Sequence, residues 1–588
     1  MLRWIVGLLI VAAVLGGIYW FGAKGGWFGV EHDAGQIQGK PVPAEAIATR
    51  MASRASPGDT EDQILFGDLH VHTTLSVDAY QFSLPILGGK GLHPLADACD
   101  FARYCSALDF WASTDHAESI TANRWAMVKN AVRACQKVSG NDDAPDMVSF
   151  IGFEWTQVGR VPEEHFGHKN VIFRDLDDDK VAARAIATGK IGLAAPISPL
   201  VPLRDFANRQ AYFDYNKFMA ITAGAPACDA SKPSNELPKD CIETAVTPGD
   251  LVRKLFDEQK LSPLIIPHGT SWGFYTPPGT TWDKALDPKE RPEKFPLIEV
   301  YSGHGNSEEY RSWTEVNIGS DVKRSCPVAT PGHMPACQRA GELILERCLK
   351  AKLATGECEK RAAAARQNYV DMFAFGHLAV PGAKAADWLD AGQCTDCFLP
   401  AFNFRPQTSV QAGLATSHFN DSGAQATRFD WGFIGSSDNH RARPGTGYKQ
   451  FDRRQNTEAT GAPNEAWRSI ITGPLEVNDE DPQSKALPMD EIQKQPGLRT
   501  VEAERQASFL LTGGLAAVHA KGRTRAAIWD ALQRRETYAT SGPKILLWFH
   551  AVEKSGAKVP MGGRVGGREA PTFEVRAVGA FKQKPGCP

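Results

Sequence analysis

The sequence lacks an excess of charge of either sign. It contains 65 basic and 68 acidic residues, which leaves a net charge of -3. A nucleic-acid-binding surface usually carries a clear surplus of lysine and arginine, so no nucleic acid is expected as a partner. A small anionic substrate is compatible with this balance, because a bound metal ion supplies positive charge locally.

Long apolar runs are also scarce. One uncharged run, from Trp4 to Phe21 between Arg3 and Lys24, is long enough to cross a bilayer. As a helix it would extend roughly 27 Å, close to the thickness of the hydrocarbon core. No clear small-x-small cleavage site accompanies it, which favours an uncleaved anchor over a removed signal peptide. We therefore expect residues 1–28 to be a membrane anchor or signal segment, with the rest exported to the periplasmic or extracellular side.

A second closely spaced cysteine pair is missing beside Cys394 and Cys397, and no histidine lies near them. A disulfide is therefore better supported there than a zinc or redox motif. Eight of the twelve cysteines fall in two regions that resemble insertions: Cys228, Cys241, Cys326, Cys337, Cys348, Cys358, Cys394 and Cys397. An even number in irregular segments predicts disulfides in an oxidising compartment, although the sequence does not determine their pairing.

The order of the segments predicts an α/β fold. Residues 29–60 are rich in glycine, proline and alanine and indicate a linker. Short apolar strands then alternate with amphipathic helices over residues 61–548, which predicts parallel strand pairing. Insertions are expected at about 175–250, at 311–400 with a helical hairpin, and at 451–500 as surface loop. Residues 549–588 predict a small C-terminal β element that the end of the sequence cuts short.

Histidines and carboxylates stand at or just beyond the predicted strand ends. His70 and His72 are two residues apart in "GDLHVHTTLSVDAY", so both imidazoles face one side of a strand and can bind one metal ion. Further members are Asp115 and His116 in "WASTDHAES", Glu154 in "SFIGFEWT", His168, Lys169 and Asn170 in "GHKNVIF", His268 in "LIIPHGT", His304 in "VYSGHGNSE", and Asp438, His440 and Arg441 in "FIGSSDNHRARPG".

Each of these motifs alone has a structural explanation, such as a half-buried strand histidine or a helix cap. Their recurrence along one alternating array favours a shared site at the carboxyl ends of the strands. Mixed histidine and carboxylate ligands suit Zn²⁺, Mn²⁺ or Fe. Seven or more candidate ligands are too many for one tetrahedral ion, which indicates two or three divalent ions.

The ordered motifs HxH, DH, Glu154, PH and DxH resemble the PHP superfamily, named for polymerase and histidinol phosphatase domains. The surrounding phrases, with "YATSGPKI" near residue 540, are similar to an exported branch known mainly as a domain of unknown function. The resemblance covers about residues 61–550 and implies a distorted seven-stranded β/α barrel. It implies as metal ligands His70, His72, His116, Glu154, His268, Asp438 and His440. Where several relatives have a histidine after the HxH turn, this sequence has Asp78.

The functional hypothesis is an exported metal-dependent phosphoesterase in which a metal-bridged hydroxide attacks phosphorus. Asp115 or His304 would move the proton, and Lys169 and Arg441 would hold an anionic group unless they are solvated surface charges. The alternatives are hydrolysis of sulfate esters, carboxylic esters or amides, or a non-catalytic, membrane-tethered metal or ligand binder. The substrate, the metal identity and the oligomeric state do not follow from the sequence.

Overall fold

The protein is described here by a computed structural model. It describes residues 2–29, 33–56, 59–140, 143–189, 194–303, 305–308, 313–388, 391–392, 403–419, 426–446, 460–473, 477–492, 494–495, 497–503, 506 and 513–579.

Helices form mainly before and between the strands of one domain. They are α1 Leu2–Lys24, α2 Ala44–Arg54, α3 Val77–Phe82, α4 Leu95–Asp100, α5 Ala122–Val138, α6 Val201–Arg204, α7 Arg209–Gly224, α8 Pro248–Val252, α9 Ala336–Lys350, α10 Thr355–Asp371, α11 Val410–Ala415, α12 Glu465–Thr472, α13 Met489–Ile492 and α14 Arg525–Arg534. Both α4 and α8 continue into a turn of π-helix, Phe101–Cys105 and Arg253–Glu258.

The strands are mostly short. They are β1 Asp59–Asp68, β2 Phe110–Ser113, β3 Val148–Gln157, β4 Gly167–Phe173, β5 Leu264–His268, β6 Leu297–Ser302, β7 Gly432–Gly435, β8 Leu515–Lys521, β9 Thr537–Thr540, β10 Leu546–Val552, β11 Lys558–Pro560 and β12 Thr572–Val578. Two-residue strands lie at Ala55–Ser56, Ile186–Ala187, Glu243–Thr244, Gly305–Asn306, Asn317–Ile318 and Arg324–Ser325.

A curled sheet of seven strands forms the centre of the molecule, in the order β9–β8–β1–β2–β3–β4–β5. The central strands β1, β2 and β3 run parallel, as the alternation of strands and helices predicted. The expected parallel pairing does not extend to the rest of the sheet, since β4 runs antiparallel to both β3 and β5, and β8 runs antiparallel to both β1 and β9. For β3 and β4 the physical reason is the short connection at residues 158–166, because only antiparallel neighbours can be joined without a crossover.

A second sheet stands between the two edges of the first. Its strands β6 and β7 pair in parallel, β6 lying beside β5 and β7 beside β9. The described residues show no backbone ladder joining the two sheets, so the barrel is open. The fold is therefore mixed α/β with a half-barrel sheet.

The core lies on both faces of this sheet, because its strands are apolar runs with helices packed against them. In β2 every residue from Phe110 to Ser113 is buried, and so are the first eight residues of β3. Helix α5 packs on the outer face through Trp125, which meets Phe153 of β3 edge-on at 5.8 Å. Such two-sided burial is typical of central parallel strands.

The predicted disulfides are present. Described pairs are Cys99–Cys135, Cys228–Cys241, Cys326–Cys337 and Cys348–Cys358, and no described cysteine is free. The Cys394–Cys397 prediction lies outside the described residues. The expected helical hairpin is formed by α9 and α10, whereas the region expected to be surface loop at 451–500 contains α12 and α13. The expected C-terminal β element is the antiparallel sheet β11–β10–β12.

Candidate metal centre

The first ligand pair stands just after β1. His70 and His72 are fully buried, and their Nε2 atoms lie 3.1 Å apart. Residues two apart on extended chain project to the same side, which brings both rings to the carboxyl end of the parallel strands. Two imidazole nitrogens this close share one proton in a hydrogen bond or bind a common cation, so the pair is a candidate for metal ligation.

Two carboxylate oxygens complete a compact set around this pair. Asp438 Oδ1 lies 3.1 Å from Nε2 of His70 and 3.2 Å from Nε2 of His72. Glu154 Oε2 lies 3.5 Å and 3.2 Å from the same two atoms. Ligands at about 2.05 Å in a tetrahedron stand about 3.3 Å from each other. The distances from both imidazoles to these carboxylate oxygens are therefore in the range expected for ligands of a common divalent cation.

Glu154 connects this position to a second group of ligands. Its Oε1 contacts His168 Nδ1 and lies 3.4 Å from His268 Nε2. The strand register explains the meeting, because Thr156 pairs with His168 and His168 pairs with His268. All of these residues therefore share one face of β3, β4 and β5. Nδ1 of His168 is therefore the ring nitrogen that faces Glu154, while its Nε2 is buried without a hydrogen-bond partner in the part of the chain that is described.

A third group forms around Asp78. Its Oδ2 lies 3.0 Å from Nε2 of His116 and 3.1 Å from Nε2 of His440. The His440 ring also stacks on the His72 ring, with centroids 3.9 Å apart. Asp78 thus supplies a carboxylate at the place where the resemblance led us to look for a histidine.

In four histidines, one ring nitrogen is hydrogen-bonded to a neighbouring group. The other ring nitrogen remains available as a ligand in the cluster. Nδ1 of His70 lies 3.1 Å from Glu299, and Nδ1 of His72 lies 2.9 Å from the Ser76 hydroxyl. Similarly, Nδ1 of His116 contacts the Thr156 hydroxyl at 2.7 Å, and Nδ1 of His440 contacts the Asp438 carbonyl at 3.1 Å. Such partners set the tautomer and the ring direction of metal-binding histidines.

Sequence reasoning missed Glu299. This residue is 1% exposed in the middle of β6, an otherwise apolar strand apart from its ends. A buried carboxylate is costly unless it is paired, and Glu299 is paired with His70. The signal available in "LIEVYS" was a single acid in an apolar strand, the same signal that identified Glu154.

Asp68 joins the two chain segments that carry the first ligands. Its carboxylate accepts hydrogen bonds from the backbone amides of His70, Ser437 and Gly445. Further backbone bonds run from His72 to Asn439 and from Asp438 to His70. Asp438 itself has a φ of 51°, a left-handed conformation that is uncommon for residues other than glycine. The hydrogen bonds on both sides hold this strained residue in place.

Asp115 was expected to shuttle a proton. In the structure its carboxylate holds the turn that follows His72. Its carboxylate accepts hydrogen bonds from the backbone amide of Thr73 at 2.6 Å and from the hydroxyls of Thr73 and Ser113. These bonds occupy its oxygens and fix the turn that follows His72. Asp115 is therefore a positioning residue, and burial raises the pKa of its carboxyl.

An aromatic side chain covers the second group of ligands. The Tyr275 ring stacks on the His168 ring at 4.3 Å, and its hydroxyl donates to the carbonyl of Gly269 at 3.0 Å. Gly269 follows His268 with a φ of +59°, and a Cβ there would lie 1.8 Å from the Tyr275 hydroxyl. A glycine at this position is thus required for the tyrosine to close over the site.

Opposite charges dominate the electrostatics of the cluster. Among the described residues, Asp78, Glu154 and Glu299 form ion pairs only with histidines. Burial opposes ionisation of Glu154, but the surrounding histidines hold the pKa of its carboxyl well below the usual range. Burial likewise opposes charge on His116, yet Asp78 and Glu154 raise its pKa to about 10. The cluster is thus built to hold positive charge, carried by protons or by metal ions.

Lys169 does not face the cluster, contrary to the expectation that it binds an anionic substrate. It pairs with Trp155 and Pro267, one residue out of phase with His168, so its side chain lies on the outer face. Its Nζ donates to the Phe166 carbonyl at 2.7 Å and lies over the Trp155 ring. Burial lowers the pKa of Lys169 to about 7. Lys169 therefore packs on the outer face of the sheet.

Arg441 and His304 are the two remaining predicted site residues. Arg441 is buried directly after His440, and its guanidinium donates to the Thr460 hydroxyl at 3.0 Å. Its role as an anion-binding residue stays a prediction. His304 lies outside the described residues.

Two stretches of the chain match one family model. It is described as a protein of unknown function (DUF3604), and the match covers residues 59–142 and 408–578. No curated protein and no solved structure matches the chain. The description assigns no activity, so function has to be argued from the site.

The two matched stretches contain only part of the donor set. His70, His72, Asp78 and His116 lie in the first stretch, while Asp438 and His440 lie in the second. The residues between them bring Glu154, His168, His268 and Glu299. The chain is therefore similar to this family in the strands that begin and end the half-barrel.

Buried and half-buried histidine and carboxylate side chains that could hold metal ions thus form four overlapping groups. The groups are His70, His72 and Glu154; His70, His268 and Asp438; His116, Glu154 and His168; and His72, His116 and His440. All seven ligands implied by the resemblance occur in these groups, and His168 joins them.

Proposed function

We propose that this chain is an exported metal-dependent hydrolase, and specifically a phosphoesterase of PHP type. The observation that carries the proposal is the position of Glu154, whose two oxygens lie against separate sets of histidines. A carboxylate placed between adjacent cation positions is the usual bridge of multi-metal hydrolases. The N-terminal apolar helix and the disulfides support export.

The chain's own residues prepare the site for this chemistry. His70, His72, Asp438 and Glu154 would hold one cation, Glu154 with His168 and His268 a second, and Asp78 with His116 and His440 a third. Divalent ions there would lower the pKa of water and stabilise negative charge on the substrate. Glu299, Ser76 and Thr156 orient the ligand rings, and Tyr275 shields His168 from water. The donors are therefore fixed before substrate binds.

A phosphoester is favoured over other bonds for two reasons. The motif order resembles a superfamily that contains phosphatases, and three adjacent cation positions match the two negative charges of a phosphomonoester. A phosphodiester and a sulfate ester each carry one charge, while carboxylic esters and amides carry none, so this second reason favours a phosphomonoester. The open half-barrel would then be a variant of the seven-stranded PHP barrel, with β6 and β7 filling the gap between β5 and β9.

The test combines metal content with hydrolysis on one preparation of the full chain. Elemental analysis is paired with p-nitrophenyl phosphate, bis-p-nitrophenyl phosphate, p-nitrophenyl sulfate and p-nitrophenyl acetate, each with added Mn²⁺ or Zn²⁺. We expect bound divalent metal and the highest rate on a phosphoester. His70→Ala should lose both, whereas His93→Ala, at a histidine that pairs with Asp97 outside the cluster, should lose neither. Full metal content and full rate in His70→Ala would exclude the proposed mechanism.

A further inference from the structure

The N-terminal helix packs against an insertion of the half-barrel at one end. Helix α1 is 23 residues long, and only 6% of its apolar window is buried. Near its carboxyl end the Tyr19 hydroxyl donates to the Pro199 carbonyl at 2.9 Å. The rings of Tyr19, Phe28 and Phe213 meet with centroids 5.7–6.2 Å apart, which joins α1 to α7. The helix therefore has a fixed neighbour where it leaves its apolar run.

This contact fixes the depth of the insertion relative to a membrane. Tyr19 precedes Lys24 by five positions, which is about 7.5 Å along a helix. If α1 spans a bilayer, its tyrosine lies at the boundary between hydrocarbon and headgroups, where tyrosine and tryptophan concentrate. Pro199 touches the Tyr19 hydroxyl and therefore lies at the same level.

The residues directly after Pro199 form an exposed apolar patch. Leu200 is 55% exposed, Leu203 56% and Phe206 63%. Three large apolar side chains exposed within seven residues are costly in water. Arg204 and Arg209 are exposed in the same segment, and the Arg209 guanidinium lies over the Phe206 ring at 4.2 Å. Apolar side chains flanked by arginines are typical of segments that lie in a bilayer interface.

We propose that residues 199–209 dock on the lipid bilayer beside α1, and that α1 is retained as an anchor. The leucines and Phe206 would enter the boundary of the acyl chains, and the two arginines would face lipid phosphates. The occupant is the bilayer because the patch continues the surface of the helix that enters it. The protein would then be held to the membrane at two points.

Docking at this patch also sets the position of the candidate metal centre. Helix α7 follows the patch and packs against α3, where Tyr80 meets Tyr215 at 5.3 Å and Phe218 at 4.9 Å. Helix α3 also carries Asp78 of the third ligand group. A chain of direct contacts therefore links the lipid surface to the site, which would lie at a fixed height above the membrane.

The first test uses the full chain in vesicles of phosphatidylethanolamine and phosphatidylglycerol. A photoreactive benzoylphenylalanine replaces Phe206 in one sample and Phe419, which is 68% exposed, in a control. We expect at least about fivefold more crosslinking to lipid from position 206, because an interfacial side chain contacts acyl chains continuously. Equal labelling, or crosslinks from position 206 to protein, would overturn the proposal in favour of free exposure or a protein partner.

The second test uses trypsin, which cleaves after Arg204 and Arg209. In vesicles, trypsin should cut both sites at least about tenfold more slowly than in lipid-free protein that is kept in solution by an amphipathic polymer. The reason is that bound lipid excludes the protease. The variant Leu203→Glu with Phe206→Glu should lose this protection, whereas Phe419→Glu should keep it. Protection that survives the double substitution, or a mature chain whose mass shows removal of Tyr19, would contradict the proposal.

Discussion

The candidate metal centre gathers side chains from residue 68 to residue 440, whereas the hairpin of α9 and α10 is one continuous segment of the chain, residues 336–371. The centre is held by hydrogen bonds across up to 377 positions, among them the bond from Gly445 to Asp68. The hairpin is held by the disulfides Cys326–Cys337 and Cys348–Cys358, whose cysteines are 11 and 10 positions apart.

The metal centre and the hairpin are therefore stabilised in different ways. Buried carboxylates such as Glu154 cost free energy unless cations neutralise them, so the centre depends on its ligands being occupied. The hairpin has its own apolar cluster, including Leu343, Ile344 and Tyr369, and covalent links that work without any ligand. Metal content should therefore govern the centre, and redox state should govern the hairpin.

The largest expected effect is that of Glu154→Gln. An amide cannot supply two anionic oxygens between the histidine groups, so cation content and hydrolysis should both collapse, the rate by about 1000-fold or more. Elemental analysis and the p-nitrophenyl phosphate assay measure both. The control is Glu243→Gln, a glutamate equally buried but paired with Arg184 and Lys254 in another insertion. That control should lose stability and keep its metal; equal losses in both variants would contradict a special role for Glu154.

Cation binding should displace protons from the metal-free centre. Burial opposes charge on His70 and His116, but the neighbouring carboxylates raise the pKa of both, that of His116 to about 10. The His116 ring therefore carries a proton at neutral pH that ligation must remove, which weakens binding about tenfold per unit fall in pH. Calorimetry at pH 7.5 in buffers of different ionisation enthalpy measures the release.

The pH dependence of cation binding distinguishes the metal centre from the α9–α10 hairpin. Above pH 10 the contribution of His116 should vanish, since its ring is then neutral before the cation arrives. Thermal unfolding of the α9–α10 hairpin, followed by hydrogen exchange, should show no comparable dependence on the cation. Binding without any proton release would mean that the rings are not ligands.

A smaller and local effect is expected from Cys326→Ser combined with Cys337→Ser. Opening a loop of this length removes about 3 kcal/mol of stabilisation from the hairpin. Hydrogen exchange should rise in α9 and α10, while metal content and hydrolysis stay unchanged. The matched control, Cys99→Ser with Cys135→Ser, opens a link between α4 and α5 beside the half-barrel, so it should destabilise the whole domain. Loss of metal in the Cys326 and Cys337 variant would show that the two regions are coupled.

The sequence was sufficient for features that depend on local pattern. The spacing of His70 and His72 predicted a shared face, and the apolar run before His268 predicted a strand that ends at the site. The α9–α10 hairpin and the short C-terminal strands followed from periodicity in the same way.

Features that depend on register between strands could not be predicted. Alternation shows that His168 and Lys169 point to opposite sides of β4, but it does not show which of them points inward. That choice is made by the pairing of Glu154 with Asn170, and Glu299 becomes a partner of His70 only when β6 lies beside the other strands. The place of β5 beside β4 also depends on tertiary packing, because residues 174–263 separate the two strands in sequence.

The smallest expected effect on activity is that of Lys169→Met, which tests this assignment of faces. Because Lys169 lies behind the sheet, hydrolysis should stay within about twofold of the unchanged protein. Stability should respond instead. Burial lowers the pKa of Lys169 to about 7, so between pH 7 and the usual lysine pKa of about 10.5 the unfolded chain holds a proton that the folded chain has released.

The free energy of unfolding should therefore rise with pH over that window by up to about 1.4 kcal/mol per pH unit through this lysine alone. Lys169→Met should remove this slope, as measured by urea unfolding from pH 7 to pH 10. The variant also loses the hydrogen bond to the Phe166 carbonyl, which lowers stability for a separate reason, so the slope and not the midpoint is the readout. Lys494→Met, at an exposed lysine, should leave the slope unchanged. A Lys169→Met variant that lost hydrolysis and kept the slope would place this side chain at the substrate after all.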